Sequence, residues 1–305
     1  MIKVNDVTLI ERMLEQLDNL NLSRIVIVVG YQAQKLIDFI DTLNIRTPII
    51  YVTNDIYDTT NNIYSLYLAR EHLLQEDTLL LESDLIFESK ILDHLLEDPY
   101  PNLALVAKYE SWMDGTAVTI NGSNEILDFI DKRHFKFADV SNYYKTVNIY
   151  KFSKEFSSKY YVPLLESYSS VLGRNEYYEQ VLRIIILLNR AEVLEEAVVK
   201  ATKVLPGEAW YEIDDLADLD IAESIFTPSI SDKLVKFQSR YGGYWRYPQM
   251  LDFCYLVNPY YPPRQLIDEM KAYFERLIRE YPSGLDVNCL LAAKYFGLPK
   301  EKIIV

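Results

Sequence analysis

Cysteine is almost missing from this chain: Cys254 and Cys289 are the only two among 305 residues. Two are too few for a disulfide framework and point to a reducing, cytoplasmic compartment. Histidine is nearly as scarce, at His72, His94 and His134, so a zinc site built from His and Cys is not expected. The start, Met1-Ile2-Lys3-Val4-Asn5-Asp6, has no basic region followed by an apolar run, and no signal peptide is expected. The longest apolar stretch, residues 181–188, is interrupted by Arg183 and is far too short to span a bilayer, so no membrane insertion is expected. Positive charge is in deficit as well, with 31 Lys and Arg against 45 Asp and Glu and a formal charge of -14. That balance argues against a nucleic-acid partner. It leaves room for a nucleotide, which a bound divalent cation and a local basic pocket can hold.

What is present is the balance of a globular protein, 50% hydrophobic and 25% charged, long enough for one large domain or two ordinary ones. Residues 8–20 place Leu9, Met13, Leu17 and Leu20 on one helical face. Residues 24–30 form a β-branched run ended by Gly30, the mark of a strand buried on both faces. A helix over about 32–43, a strand over 48–53, a helix over about 63–74 and a strand over 78–81 continue the alternation. This predicts an α/β fold with a mostly parallel, doubly wound sheet. Further strands are expected over 103–107, 116–120, 125–130, 145–152 and 209–214, with Asn121-Gly122 as a hairpin turn. Helices are expected over about 175–188 and 216–224, and Thr227-Pro228-Ser229 marks a boundary. Beyond it, Gly242-Gly243 and residues 259–263 read as loops, 263–280 and 287–296 as helices, and Ile303-Ile304-Val305 as the start of a strand.

Asp84 and Asp214 each follow an apolar strand, so each carboxylate is expected at a carboxyl edge of the sheet, where open α/β folds bind ligands. Two such carboxylates suit one hard cation bridging a triphosphate, or they simply cap the following helices. Asn61, Asn62 and Ser65 open a helix, either facing a base or ribose or serving as ordinary caps. Lys132 is a candidate phosphate contact or a solvated loop lysine. Trp112, Asp114, Tyr177, Tyr178 and Trp210 would make an aromatic, acidic pocket for a cationic amine, with core packing as the competing role.

Several of these pieces, taken in order, resemble the nucleoside-diphosphate-sugar pyrophosphorylase type of nucleotidyltransferase. They are Leu9-Ile10-Glu11-Arg12-Met13-Leu14, residues 25–31, Thr60-Asn61-Asn62-Ile63-Tyr64-Ser65-Leu66, Leu81-Glu82-Ser83-Asp84 and Tyr211-Glu212-Ile213-Asp214 with Asp218-Leu219. The branch they most resemble is the small cytidylyltransferases that activate phosphocholine or 2-aminoethylphosphonate. The resemblance implies Mg²⁺ held by Asp84 and Asp214 and CTP beside Asn61, Asn62 and Ser65, and the amine end of the acceptor is then expected near Trp112, Asp114 and Tyr178. Lys132, the candidate phosphate contact, is the expected catalytic residue. Members of that family open with a strand and a glycine-rich phosphate loop, which this chain does not show; Gly30 stands alone.

Residues 233–305 resemble the opening of a fold-type I pyridoxal-phosphate aminotransferase of the histidinol-phosphate type. The matching pieces are Tyr241-Gly242-Gly243, Leu251-Asp252-Phe253, Val257-Asn258-Pro259-Tyr260-Tyr261-Pro262-Pro263, Tyr281-Pro282 and Lys294-Tyr295-Phe296-Gly297-Leu298. The expected organisation is a nucleotidyltransferase domain over 1–226, shortened at its start, and part of an aminotransferase domain over 233–305. Pyridoxal phosphate is expected only in a longer parent, and a homodimer is among the expected assemblies. Two rival readings are a sugar-1-phosphate nucleotidyltransferase and a non-catalytic remnant that binds a nucleotide or pairs with another subunit.

Overall fold

The computed structural model describes residues 1–194, 197–238, 253, 258 and 260–305. It divides into two compact units, Met1–Gln249 and Met250–Val305. In the first, β1 (Lys3–Val4) and β2 (Val7–Thr8) make a short hairpin that runs into α1 (Leu9–Asp18). The Thr8 hydroxyl caps α1 by accepting from the Glu11 N–H at 3.2 Å. The helix buries Leu9, Met13, Leu14 and Leu17, the stripe its spacing predicts.

Next come β3 (Ile25–Val29), α2 (Ala33–Ile40) and β4 (Ile49–Thr53), with β3 and β4 paired in parallel. The helix expected over 63–74 is two, α3 (Asn62–Leu68) and α4 (Arg70–Leu73), because Ala69 between them leaves helical geometry at φ -88, ψ 0. Then follow β5 (Thr78–Leu81), β6 (Leu85–Phe87), α5 (Lys90–Glu97), β7 (Leu103–Lys108), β8 (Ala117–Ile120) and β9 (Ile126–Ile130). The β8–β9 connection runs through residues 121–125 and is longer than a two-residue turn at Asn121-Gly122. Asn121 Oδ1 accepts from the N–H groups of Ser123 and Glu125, both at 2.9 Å, and Asn124 takes φ +63.

The central strand is β10 (Tyr144–Phe152), nine residues long and antiparallel to β5, β7 and β8. After it come α6 (Lys154–Phe156), α7 (Val162–Val171), α8 (Glu179–Arg190), β11 (Lys200–Lys203), β12 (Trp210–Glu212), α9 (Leu216–Ile225) and α10 (Ile230–Gln238). The main sheet has the order β11-β7-β10-β8-β9, with β5 also on β10, and β11 runs parallel to β7. The class is therefore α/β with a mixed central sheet. Side chains of β10 alternate between two cores, as a strand's period of two requires. Tyr150 and Phe152 pack with Ile63, Tyr161 and Leu182, whereas Val147 and Ile149 pack with Leu14, Ile91 and Leu95.

In the second unit the described elements include α11 (Arg264–Arg279) and α12 (Leu285–Phe296), the latter closed by Gly297 at φ +65. Among its described residues only Cys289 and Ala293 are buried apolar side chains. Tyr241-Gly242-Gly243, Leu251-Asp252, Cys254, Val257 and Pro259 lie outside the described residues. No described helix is long and apolar enough to cross a membrane.

Candidate active site

The site forms where two strand ends meet. β6 and β12 pair antiparallel with Leu85 opposite Glu212, and the Asp84 carbonyl accepts from the Ile213 N–H at 3.0 Å. This pairing brings Glu82-Ser83-Asp84 beside Glu212-Ile213-Asp214. Glu82, Asp84 and Glu212 each offer a carboxylate oxygen, and the three atoms lie within 4.8 Å of one another. Asn148 ties two of them together: its Nδ2 donates to Glu82 Oε2 at 3.0 Å and to Glu212 Oε1 at 2.9 Å.

Asn148 is aimed there by an irregularity in β10. The ladder to β7 shifts register between Thr146 and Tyr150, and Asn148 sits at φ +60, a conformation asparagine tolerates better than most residues. The same strand delivers Lys145, which is 1% exposed. Its Nζ lies 3.1 Å from Glu212 Oε2 and donates to the Thr146 carbonyl at 2.8 Å. Gly115 makes room for it: the residue has φ +88, and a Cβ there would stand 3.2 Å from Lys145 Nζ.

The electrostatics are those of crowded carboxylates around one buried cation. Burial pushes Glu82 up to about 8, and the charges of Glu179 and Asp84 push the same way. Burial also raises Glu179, to about 7, with Lys145 opposing. Asp84 is raised by burial and by Asp214, Glu212 by burial against the pull of Lys145, and Asp214 by burial and by Asp218. The buried Oδ1 of Asp84 has no hydrogen-bond partner among the described residues. An unpartnered carboxylate oxygen with two carboxylates in reach is the donor set of a hard, oxygen-seeking divalent cation, so Glu82, Asp84 and Glu212 fit Mg²⁺.

A cavity of about 760 Å³ opens on this cluster and takes in Asn61, Asn62, Ser65, Asp114, Tyr178 and Asp214. Asp214 is exposed and lies outside the three-carboxylate group; its backbone N–H donates to Asp218 Oδ2 at 3.2 Å. The Asn61 side chain accepts from the Asn62 N–H at 2.8 Å, and Ser65 Oγ accepts from Asn54 Nδ2 at 3.3 Å. Asn62 is a structural tie. It donates to Glu82 Oε1 at 2.9 Å and accepts from the Tyr178 N–H at 3.0 Å. Tyr178 is buried beside Tyr150, ring against ring at 5.8 Å. Trp112 and Lys132 are not among the residues lining the cavity. Trp112 stacks on Tyr211 at 4.6 Å and donates to Glu110 at 2.9 Å, while Lys132 pairs with Asp114 at 3.2 Å, both ends exposed.

Glu82, Glu212, Lys145, Asn148 and Glu179 were not singled out from sequence, although two signals were available. Glu-x-Asp follows an apolar strand twice, at 82–84 and 212–214. Lys145 and Asn148 lie among the apolar residues of the central strand, where a buried polar residue needs a partner.

No family model matches the sequence. It is 28% identical over 295 residues to CMP-5'-(3-aminopropyl)phosphonate synthase of Streptomyces rubellomurinus (strain ATCC 31215), covering 96% of this chain and 45% of that protein. The chain therefore spans a little under half the length of this curated relative. Among solved structures, it is similar to CTP:phosphocholine cytidylyltransferase from Streptococcus pneumoniae, with TM-score 0.56 and 20% identity over 73% of this chain and 87% of that one. The inositol-1-phosphate CTP transferase from T. maritima gives 0.54 and 20% over 79% and 87%. A UDP-glucose pyrophosphorylase bound to UDP-glucose gives 0.58 and 13% over 74% and 89%. At these identities the likeness is one of fold: the chain carries the α/β fold, with its mixed central sheet, of the nucleotidyltransferases.

Proposed function

We propose that this chain transfers a cytidylyl group from CTP to the phosphonate or phosphate oxygen of a small amine-bearing acceptor. The observation that carries the reading is the carboxylate cluster of Glu82, Asp84 and Glu212 at the mouth of a nucleotide-sized cavity. The CMP-aminopropylphosphonate synthase relative and the cytidylyltransferase folds support it. An acceptor oxygen attacks the α-phosphorus of CTP, the bond to the β-phosphate oxygen breaks, and pyrophosphate leaves. Bound Mg²⁺ would offset the negative charge that grows on the phosphate oxygens.

The chain's own residues do the placing. Glu82, Asp84 and Glu212, with Asp214 close by, would hold the cation. Glu82 must give up a proton for this, which makes cation binding pH-dependent. Lys145 and Asn148 hold the carboxylates in position. Asn61 and Ser65 border the nucleotide, Asn62 holds Glu82 in place, and Asp114 with Tyr178 on the cavity wall lies toward the ammonium end. Residues 233–305, through which the alignment to the relative continues, are read as the opening of an aminotransferase domain that takes pyridoxal phosphate in a longer parent.

The test is pyrophosphate release by the purified chain with Mg²⁺ and CTP. The acceptors are 2-aminoethylphosphonate, 3-aminopropylphosphonate, phosphocholine and glucose 1-phosphate. Release with an amine-bearing acceptor is expected. Release with glucose 1-phosphate alone would move the reading to a sugar-1-phosphate nucleotidyltransferase. CTP binding without release from any acceptor would make the chain a non-catalytic nucleotide binder.

A further inference from the structure

Lys145 is the least expected residue of β10. The strand has neighbours on both sides there, and Lys145 stands opposite Ala107 of β7 and Ala117 of β8. Directly opposed residues share a face of the sheet with Cβ atoms about 4.5–5.5 Å apart, so two alanines leave a slot for the lysine stem. Gly115 continues the slot, since a Cβ there would also stand 3.3 Å from Lys145 Cε. Small residues on two strands and a loop thus carry one ammonium into the interior. Burying it has a cost, because a lysine and a carboxylate taken out of water together are often no more stabilising than apolar side chains of the same volume. Packing alone gives no reason for a lysine at this position.

The ammonium is also not fully used. It offers three N–H donors and has two partners among the described residues, Glu212 Oε2 at 3.1 Å and the Thr146 carbonyl at 2.8 Å. Lys145 lines the cavity, where a ligand can take the third donor. Two other basic residues line it among those described: Arg24, which pairs with Glu76 ahead of β5, and His72 on α4. The carboxylates follow β5 at its other end. Lys132 pairs with Asp114 in the open and is not among the residues lining the cavity. Of the described basic residues, Lys145 is the one inside the carboxylate cluster, and its charge pulls Asp84, Glu179 and Glu212 down against the rise that burial imposes.

We propose that Lys145 is a catalytic residue of nucleotidyl transfer, whose remaining N–H donates to a non-bridging oxygen of the α-phosphate. This deepens the cytidylyl-transfer reading of the cavity and rests on it. The acceptor oxygen forms its bond to the α-phosphorus, the bond to the β-phosphate oxygen breaks, and Lys145 keeps all three protons throughout. Its part is electrostatic. As negative charge grows on the phosphate oxygens, a buried ammonium already held in place stabilises it without having to reorient. Glu212 does the holding and is itself a candidate cation ligand, so one carboxylate orients both positive charges that the phosphates would meet.

The test reads binding of CTP, CMP and cytidine to the whole chain by calorimetry, first in EDTA and then with Mg²⁺. Lys145→Met should weaken CTP and CMP by about 10–100-fold, the loss of one charge-assisted hydrogen bond, and cytidine by less than about twofold. Because the single variant strands a carboxylate and can fail to fold, Lys145→Met is also compared in a Glu212→Gln background, where the same ratio should appear. Turnover with Mg²⁺ should lose more in kcat than in KM, since the contact strengthens as charge builds on the phosphate. Equal weakening of cytidine and CTP would overturn the proposal and leave Lys145 a structural countercharge. A loss confined to CTP would overturn the α-phosphate assignment. A parent chain that binds none of the three, with or without Mg²⁺, would overturn the cytidylyl-transfer reading and this one with it.

Discussion

The ends of β5 and β12 carry the same short pattern, Glu-x-Asp, and the fold treats the two copies differently. Glu82 and Asp84 are half-buried, Glu82 is hydrogen-bonded by Asn62 and Asn148, and Asp84 keeps a buried oxygen with no partner among the described residues. Glu212 joins them, drawn in by Lys145 and Asn148, but Asp214 remains exposed, next to the capping box that Asp215 and Asp218 make at the start of α9. A carboxylate becomes a candidate cation ligand through what surrounds it. Identical spacing after an apolar strand does not distinguish a ligand from a neighbour.

The sharpest way to break this comparison is to neutralise each aspartate alone. Asp84→Asn should lower pyrophosphate release by about 10²–10³-fold, because it removes a ligand of the cation that would offset the charge on the reacting phosphates. Asp214→Asn should cost about tenfold at most if exposure halves its role. Equal losses, read from kcat/KM with saturating Mg²⁺, would erase the distinction drawn between the two ends.

A second prediction concerns the cation that the two copies share. Lys145→Met keeps the apolar stem but leaves buried carboxylates without their countercharge. It should destabilise the chain by about 3–5 kcal/mol, measured by urea unfolding without added metal. Mg²⁺ should restore part of the loss if it binds the same carboxylates. Unchanged stability would mean that Glu82 and Glu212 already share protons in the folded state.

The smallest effect tests the carboxylate behind the pair. Glu179 titrates near 7 when folded, above its ordinary 4.5, because burial disfavours its charge. The native state therefore holds a proton that the unfolded chain has released between those values, and stability falls as pH rises through that window. Glu179→Gln should flatten the fall between pH 5 and 8 by on the order of 1–3 kcal/mol, with Glu82 supplying the remaining slope. A variant as pH-sensitive as the parent would show that Glu179 is not the titrating group.

Much of the fold was legible. The α1 stripe and the β7 and β10 segments declare themselves because they bury much apolar surface. By contrast, β3 and β4 are legible as β-branched runs although most of their residues are only half-buried or exposed. The short elements β1, β2, β6 and β11 did not declare themselves, because two to four residues carry too little pattern. The break at Ala69 also escaped, as nothing in that residue's chemistry forbids a helix. Asp84 and the Asn61–Ser65 segment could be placed at the cavity because they follow recognisable elements. Lys145 and Asn148 could not, because only the shifted register of β10 aims them at the carboxylates.

The sequence by itself determined the α/β class, the alternation of strands and helices, and the positions of two carboxylates at strand ends. Those follow from local periodicity and from where apolar runs stop. Tertiary structure decided which carboxylates meet, and that a buried lysine and an asparagine hold them. Each of these depends on pairing between residues far apart in the chain, and backbone hydrogen bonds between strands carry no side-chain signature that a single sequence could show.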